Sequence, residues 1–294
     1  MLKRIPLFSI LVLLGFLSVQ APVAGQALVP HTLQLDSKEL EQQGLNLAQD
    51  AVQLVRFQQF DLALPRAELA AQLAPKSFQT WFILGSLYVQ NQDLDKGIEA
   101  LLRAKALEPK EAGILFSLGS ARFQKAEYAA AIADLQAGLK MKPDVPEALF
   151  DLGNSYYMVK QFPKAIEAFQ KAVAQEKNFW PAINNIGLVK YEQGDVAAAI
   201  KHWQAATAID DQAAEPQLAT AVALYAKGEQ EKGLALGESA IRLDSRYADL
   251  KFLKENLWGD RLLSDTKKFL EIPRIQASVG QIQETPPQEG SAPQ

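Results

Sequence analysis

Apolar residues recur at helical spacing along most of this chain. In the stretch from Trp81 to Tyr88, Trp81, Leu84, Leu87 and Tyr88 fall at i, i+3, i+6 and i+7, which builds one buried helix face. Gly85 interrupts that face, although glycine inside a helix costs about 1 kcal/mol relative to alanine. The same arrangement returns at Leu115–Arg122, Leu149–Tyr156 and Ile183–Lys190, so Gly85, Gly119, Gly153 and Gly187 lie 34 residues apart. A mid-helix glycine that returns with such regularity has a packing reason.

Counting in steps of 34 from Gly44 gives six units, 44–77, 78–111, 112–145, 146–179, 180–213 and 214–247. Three columns of this register hold only alanine or glycine. They are Ala51, Gly85, Gly119, Gly153, Gly187 and Ala221; Ala63, Gly97, Ala131, Ala165, Ala199 and Gly233; and Ala70, Ala104, Gly138, Ala172, Ala206 and Ala240. Each unit holds two amphipathic segments, such as Phe78–Asn91 and Leu94–Ala106, joined by a short polar turn. Helices joined so tightly pack antiparallel, and small residues at the crossing let their backbones approach. Pro75, Pro109 and Pro143 punctuate the ends of three units. A hairpin of this length cannot bury its own apolar face, so neighbouring units stack.

One unit reads Trp81, Leu84, Gly85, Tyr88, Gly97, Leu101, Ala104 and Pro109; another reads Leu149, Leu152, Gly153, Tyr156, Ala165, Phe169 and Ala172. This pattern resembles the tetratricopeptide repeat family. The four central units match well, whereas the first carries Asp50 and the last Gln217 and Thr220 at expected apolar positions. The resemblance implies an all-α fold, a right-handed superhelical solenoid of about six helix-turn-helix repeats. Two C-terminal capping helices are expected within 248–272, and the Gln- and Pro-rich stretch 273–294 reads as a disordered tail.

The N-terminus departs from the repeat. Lys3 and Arg4 precede an uncharged apolar run from Ile5 to Val19 and then a segment of small residues. Residues 1–27 therefore read as a signal peptide or an N-terminal membrane anchor, followed by a linker and the start of the first helix over 28–43. The expected location is exported, periplasmic or lumenal, with a membrane contact only if the segment is uncleaved. Alanine-rich repeats behind an export signal suggest a bacterial protein.

Composition narrows the chemistry further. A net charge of −4 leaves no basic excess for phosphates, so nucleic acid is not an expected partner. The absence of cysteine removes disulfides and thiolate chemistry, and the two histidines, His31 and His202, make no local metal motif. Asp210 and Asp211 sit in an inter-repeat turn. No catalytic residues, metal ligands or cofactor site are expected, and an enzyme is not.

What remains is a stripe on the first helix of each unit, displaced from the buried face and spaced i, i+4, i+7. By the family resemblance it lines the concave groove that holds peptide partners. The candidate residues are Phe82, Phe116, Ser120, Phe123, Phe150, Asn154, Tyr157, Asn184, Tyr191 and Tyr225. The stripe is aromatic and uncharged, which disfavours a basic clamp for a terminal carboxylate. Its aromatics serve either as a peptide groove or as packing between adjacent repeats. The chain accordingly reads as a non-catalytic scaffold or adaptor for a protein or peptide partner. A self-associating or membrane-tethering structural module, such as one that assembles a membrane complex, is the alternative.

Overall fold

A computed structural model of the chain describes residues 36–284. The expected leader and most of the linker, 1–35, lie outside the described residues, as does 285–294. The described residues contain fifteen α-helices and one short 3-10 helix, and no strand. Twelve of them form six hairpins: α1 (Ser37–Arg56) with α2 (Phe60–Leu73), α3 (Phe78–Gln90) with α4 (Leu94–Leu107), and α5 (Ala112–Gln124) with α6 (Tyr128–Met141). They continue with α7 (Pro146–Met158) and α8 (Phe162–Gln175), α9 (Trp180–Glu192) and α10 (Val196–Ile209), and α11 (Ala214–Ala226) and α12 (Gln230–Leu243). Each helix packs on the one before and the one after, as in a solenoid.

The repeated glycines answer to one packing rule. A Cβ on Gly85 would press on Leu101 Cγ at 2.7 Å, and equivalent atoms on Gly119, Gly153 and Gly187 would run into Leu135, Phe169 and Trp203. The second helix of each hairpin thus lays a large side chain across the bare backbone of the first. That side chain grows along the array, from Ala67 in the first unit to Trp203 in the fifth. Leu101, Leu135, Phe169 and Trp203 are fully buried as a result. Burying such side chains contributes on the order of 1.5–3 kcal/mol each, which offsets the helical cost of the glycine.

Hairpin turns share one geometry. In the second unit the Gln92 N–H donates to Val89 O and the Asp93 N–H to Tyr88 O, at 3.0 and 2.9 Å, closing the helix end in a Schellman motif. The left-handed residue this requires is Gln58, Gln92, Ala126 or Lys160 in the first four units and Gly194 or Gly228 in the last two.

Beyond the sixth hairpin a 3-10 turn (Ser245–Ala248) leads to α13 (Leu250–Glu255), α14 (Asp260–Leu270) and α15 (Pro273–Glu284). The last of these corrects the expectation of a disordered tail from residue 273. Pro273 sits at a helix start, where its missing N–H costs nothing. Ile275 is fully buried, and Arg274 pairs with Glu238 and Glu231 on α12 at 2.7 and 3.0 Å. The polar composition of the tail concealed this short apolar stripe. Among the described residues, no helix is long and apolar enough to cross a membrane.

Candidate binding groove

The stripe residues stand in three columns along the first helices. Phe82, Phe116 and Phe150 form the outermost column and are half-buried. Phe116 lies over Gly138, where a Cβ would meet its ring at 2.5 Å. Phe150 stacks on Phe169 and Phe179 with ring centroids 5.7 and 5.4 Å away. Phe116 and Phe150 therefore serve mainly as packing between and within repeats.

The middle column is polar where the groove is deepest. Asn185 Nδ2 donates to Asn154 Oδ1 at 2.8 Å, and Asn184 Nδ2 donates to Asn185 Oδ1 at 3.0 Å, forming a buried amide ladder from the fourth unit to the fifth. Ser120 reaches the Asp151 carboxyl of the next unit, and burial together with the neighbouring Glu147 pushes that carboxyl up to about 6. Asp151 and Asn185 share a repeat position next to the candidate stripe. The groove is therefore not uncharged, because its carboxylates come from positions beside the stripe.

The inner column holds Phe123, Tyr157, Tyr191 and Tyr225. Phe123 pairs with Tyr128 at 5.5 Å and Tyr157 with Phe162 at 5.9 Å. Tyr157 is 7% exposed, and its hydroxyl has no hydrogen-bond partner among the described residues. Burial and the nearby carboxylates of Glu192 and Asp260 push that hydroxyl well above the usual phenol range.

Tyr191 and Tyr225 have a different fate. The C-terminal segment turns back from the end of the array, and α14 lies against α9 and α11. Glu192 accepts from the backbone N–H groups of Arg261 and Leu262 at 3.2 and 3.0 Å, capping the start of α14 from another helix. The Tyr191 hydroxyl donates to Asp265 at 2.8 Å, and the Arg261 guanidinium sits 5.2 Å from the Tyr191 ring. Phe269 meets Tyr225 edge-on at 5.5 Å and lies over Gly237, which occupies the position held by Leu101, Leu135, Phe169 and Trp203 in earlier units. It supplies from outside the repeat the large side chain that the sixth unit lacks.

Trp258 completes the seam. It is buried, and its Nε1 donates to Glu215 at 3.0 Å. Burial pushes the Glu215 carboxyl up to about 7, against the opposing hydrogen bonds from Trp258 and Asn184. Asn184, Tyr191 and Tyr225 are thus covered by the chain's own C-terminus and are closed to a peptide. The capping helices do more than close the end of the array, since they fill the groove back to the fifth unit.

Where the filling stops, a cleft of about 870 Å³ opens. Phe123, Tyr128, Tyr157 and Phe162 line one side and the Leu257–Asp260 turn the other. None of Trp258, Asp260 or Asp265 falls in the repeat register, so periodicity carried no signal for them. Asp151, Asn185, Glu192 and Glu215 were findable in columns adjoining the stripe. His202 is half-buried, with its pKa held down by burial and by Lys190 and Lys201. Among the described residues no cluster of His, Asp and Glu is arranged to hold a metal ion.

Stacked hairpins, a small-residue crossing and a concave face of first helices define an α-solenoid. The tetratricopeptide repeat family profile matches residues 116–179 and 184–248. Over these residues the chain is built of tetratricopeptide repeats. A second profile, for ChAPs (Chs5p-Arf1p-binding proteins), matches residues 1–107. Among solved structures, a MamA protein is 27% identical over 55% of this chain and 94% of its own, with a TM-score of 0.51. PilF from Pseudomonas aeruginosa is 15% identical, covering 75% of this chain and 98% of its own at a TM-score of 0.61. YrrB, described as a tetratricopeptide protein with an unusual peptide-binding site, is 17% identical over 65% of this chain and 95% of its own, at 0.53. No curated protein matches the chain.

Proposed function

We propose that this chain is an exported, non-catalytic scaffold that holds a segment of a partner protein in the open half of its groove. The observation that carries the reading is the asymmetry of the concave face. Equivalent surfaces in the fifth and sixth units hold a helix of the same chain, whereas among the described residues no helix lies over the strip from Phe82 to Tyr157. A surface of this design is able to seat a helix, and the described residues leave half of it open. YrrB, whose fold is similar, is described as having a peptide-binding site, which agrees with this reading. Export rests on the N-terminal pattern alone, and fractionation of a Leu11→Asp, Leu14→Asp variant tests it.

The direct test of binding is capture of the native partner from the host by wild type and by Phe123→Ala and Tyr157→Ala. Truncating a central aromatic anchor often costs about 2 kcal/mol of binding or more. Both variants are expected to capture less partner while helix content is unchanged. If both stay folded and capture as well as wild type, the groove reading falls.

A second reading has an observation of its own. Phe57 is 72% exposed, and Phe60, Leu62 and Leu69 are exposed in the same unit. An apolar patch at one end of a solenoid suits end-to-end self-association. Sedimentation of wild type against Phe57→Ser separates the readings, because only the structural module changes mass with that substitution.

A further inference from the structure

The cleft at the end of the filled half differs from the sites of Tyr88, Tyr156 and Tyr191 in what it lacks. Tyr88 has Lys96 over its ring at 5.3 Å and gives its hydroxyl to Glu68 at 2.7 Å. Tyr156 has Lys164 at 5.4 Å and accepts from Gln136 Nε2 at 2.7 Å. A cleft of about 750 Å³ beside Tyr156 is lined by that ring with Gln136, Lys164 and the Lys171–Glu167 pair. Tyr191 has Arg261 over its ring and Asp265 at its hydroxyl.

Tyr157 is the residue one repeat before Tyr191. Its side chain is nine-tenths buried in the cleft wall, and its hydroxyl has no partner. No Lys or Arg of the described residues lies over its ring. The aromatic pairs Phe123–Tyr128 and Tyr157–Phe162 stand together on one wall. Glu192, Glu255 and Asp260 also line the cleft, against Lys160 and Lys254 at its exposed lip. Glu192 is held at the start of α14 and Glu255 lies 3.8 Å from Lys251, which leaves Asp260 as the carboxylate near Tyr157.

We propose that this cleft is the seat for a lysine or arginine side chain of the partner segment, held against the Tyr157 and Phe123 rings with Asp260 as its counter-charge. The inference rests on the groove reading above and adds the chemistry of the anchor. The filled half supplies the pattern, since the chain's own Arg261 takes the same place on Tyr191. A cation over an aromatic face is attracted by the ring's negative quadrupole, the more so where water is partly excluded.

The test is a selection of random twelve-residue displayed peptides on the full chain, in parallel with a Phe123→Ala, Tyr157→Ala double variant. Wild type is expected to enrich peptides that share one Lys or Arg position. Replacing that residue by norleucine in a synthetic peptide should weaken binding roughly three- to thirtyfold, the range for a cation on a partly desolvated ring. Asp260→Asn, which removes the counter-charge and keeps the side chain's size, should weaken the basic peptide but not its norleucine form. Peptides enriched without a basic residue, or a norleucine form that binds equally well, overturn the cation seat and leave the groove standing. No enrichment over the double variant, with helix content intact in both proteins, overturns the groove reading and the seat together.

Discussion

The two halves of the concave face are built from one repeat and solve the same problem differently. In the third and fourth units the inner column is Phe123 and Tyr157, with Ser120 and Asn154 in the middle. In the fifth and sixth it is Tyr191 and Tyr225, with Leu188 and Val222 in the middle, both buried. The second set is an apolar surface that would be costly in water, and the chain covers it with Leu262, Thr266 and Phe269 of α14. The first set is polar at Ser120 and Asn154, the latter buried but hydrogen-bonded to Asn185, and Phe123 stays half-buried. A few substitutions at fixed repeat positions thus separate a stretch of the groove closed by the chain's own helix from one that the described residues leave open.

The sharpest way to break that comparison is to truncate one aromatic in each half. Phe269 is 1% exposed and fills the space above Gly237, so Phe269→Ala leaves a cavity where no other side chain reaches. The expected loss is about 3–5 kcal/mol, seen as a lower urea midpoint and early protease cleavage after residue 249. Phe123→Ala, in the open half, should cost far less stability. Equal losses would mean that the open strip is packed as tightly as the filled one, and the contrast would collapse.

The solenoid was readable because its signal is periodic: Gly85, Gly119, Gly153 and Gly187 state the same packing rule four times. The family resemblance then supplied the concave stripe. The filled half was not readable, because it depends on single contacts between distant residues, such as Phe269 with Gly237 and Glu192 with Leu262. One trace of it was present. Gly237 stands where other units carry Leu, Phe or Trp, a gap in the core that something outside the repeat had to fill. Asp151 and Glu215 were missed for a simpler reason, since they sit one column away from the residues taken to line the groove.

A second prediction sharpens the comparison through pH. The Glu215 carboxyl, beneath Trp258 in the filled half, has a folded pKa of about 7, above its ordinary value of 4.5. Between those values the folded state binds more protons than the unfolded state, so stability falls as pH rises from about 4.5 to about 7. Glu215→Gln keeps an acceptor for Trp258 and removes the buried charge. It should be nearly neutral at pH 5 and stabilising by roughly 1–3 kcal/mol at pH 8, read as the change in unfolding midpoint. A wild-type protein whose stability relative to Glu215→Gln does not change with pH would show that the seam is wetter than its packing implies.

The smallest expected effect concerns the turns, which also divide the two halves. The left-handed turn position is Gln58, Gln92, Ala126 or Lys160 in the first four units, with φ between 58° and 63°, and Gly194 or Gly228 in the last two. A side chain there costs about 1–2 kcal/mol through its Cβ. Lys160→Gly should relieve that strain, less the extra freedom glycine brings to the unfolded chain, for a net gain of a few tenths to about 1 kcal/mol. Gly194→Ala should do the reverse and more, because a Cβ at this position also stands 2.8 Å from the Arg261 guanidinium of the docked helix. Gly228 has nothing within 4 Å of the same point, so Gly228→Ala carries the backbone strain alone. The difference between the two alanine variants in thermal unfolding therefore measures how firmly the Arg261 side chain is held between Gly194 and the Tyr191 ring. Identical losses at Gly194 and Gly228 would mean that Arg261 swings aside at no cost and contributes little to holding α14.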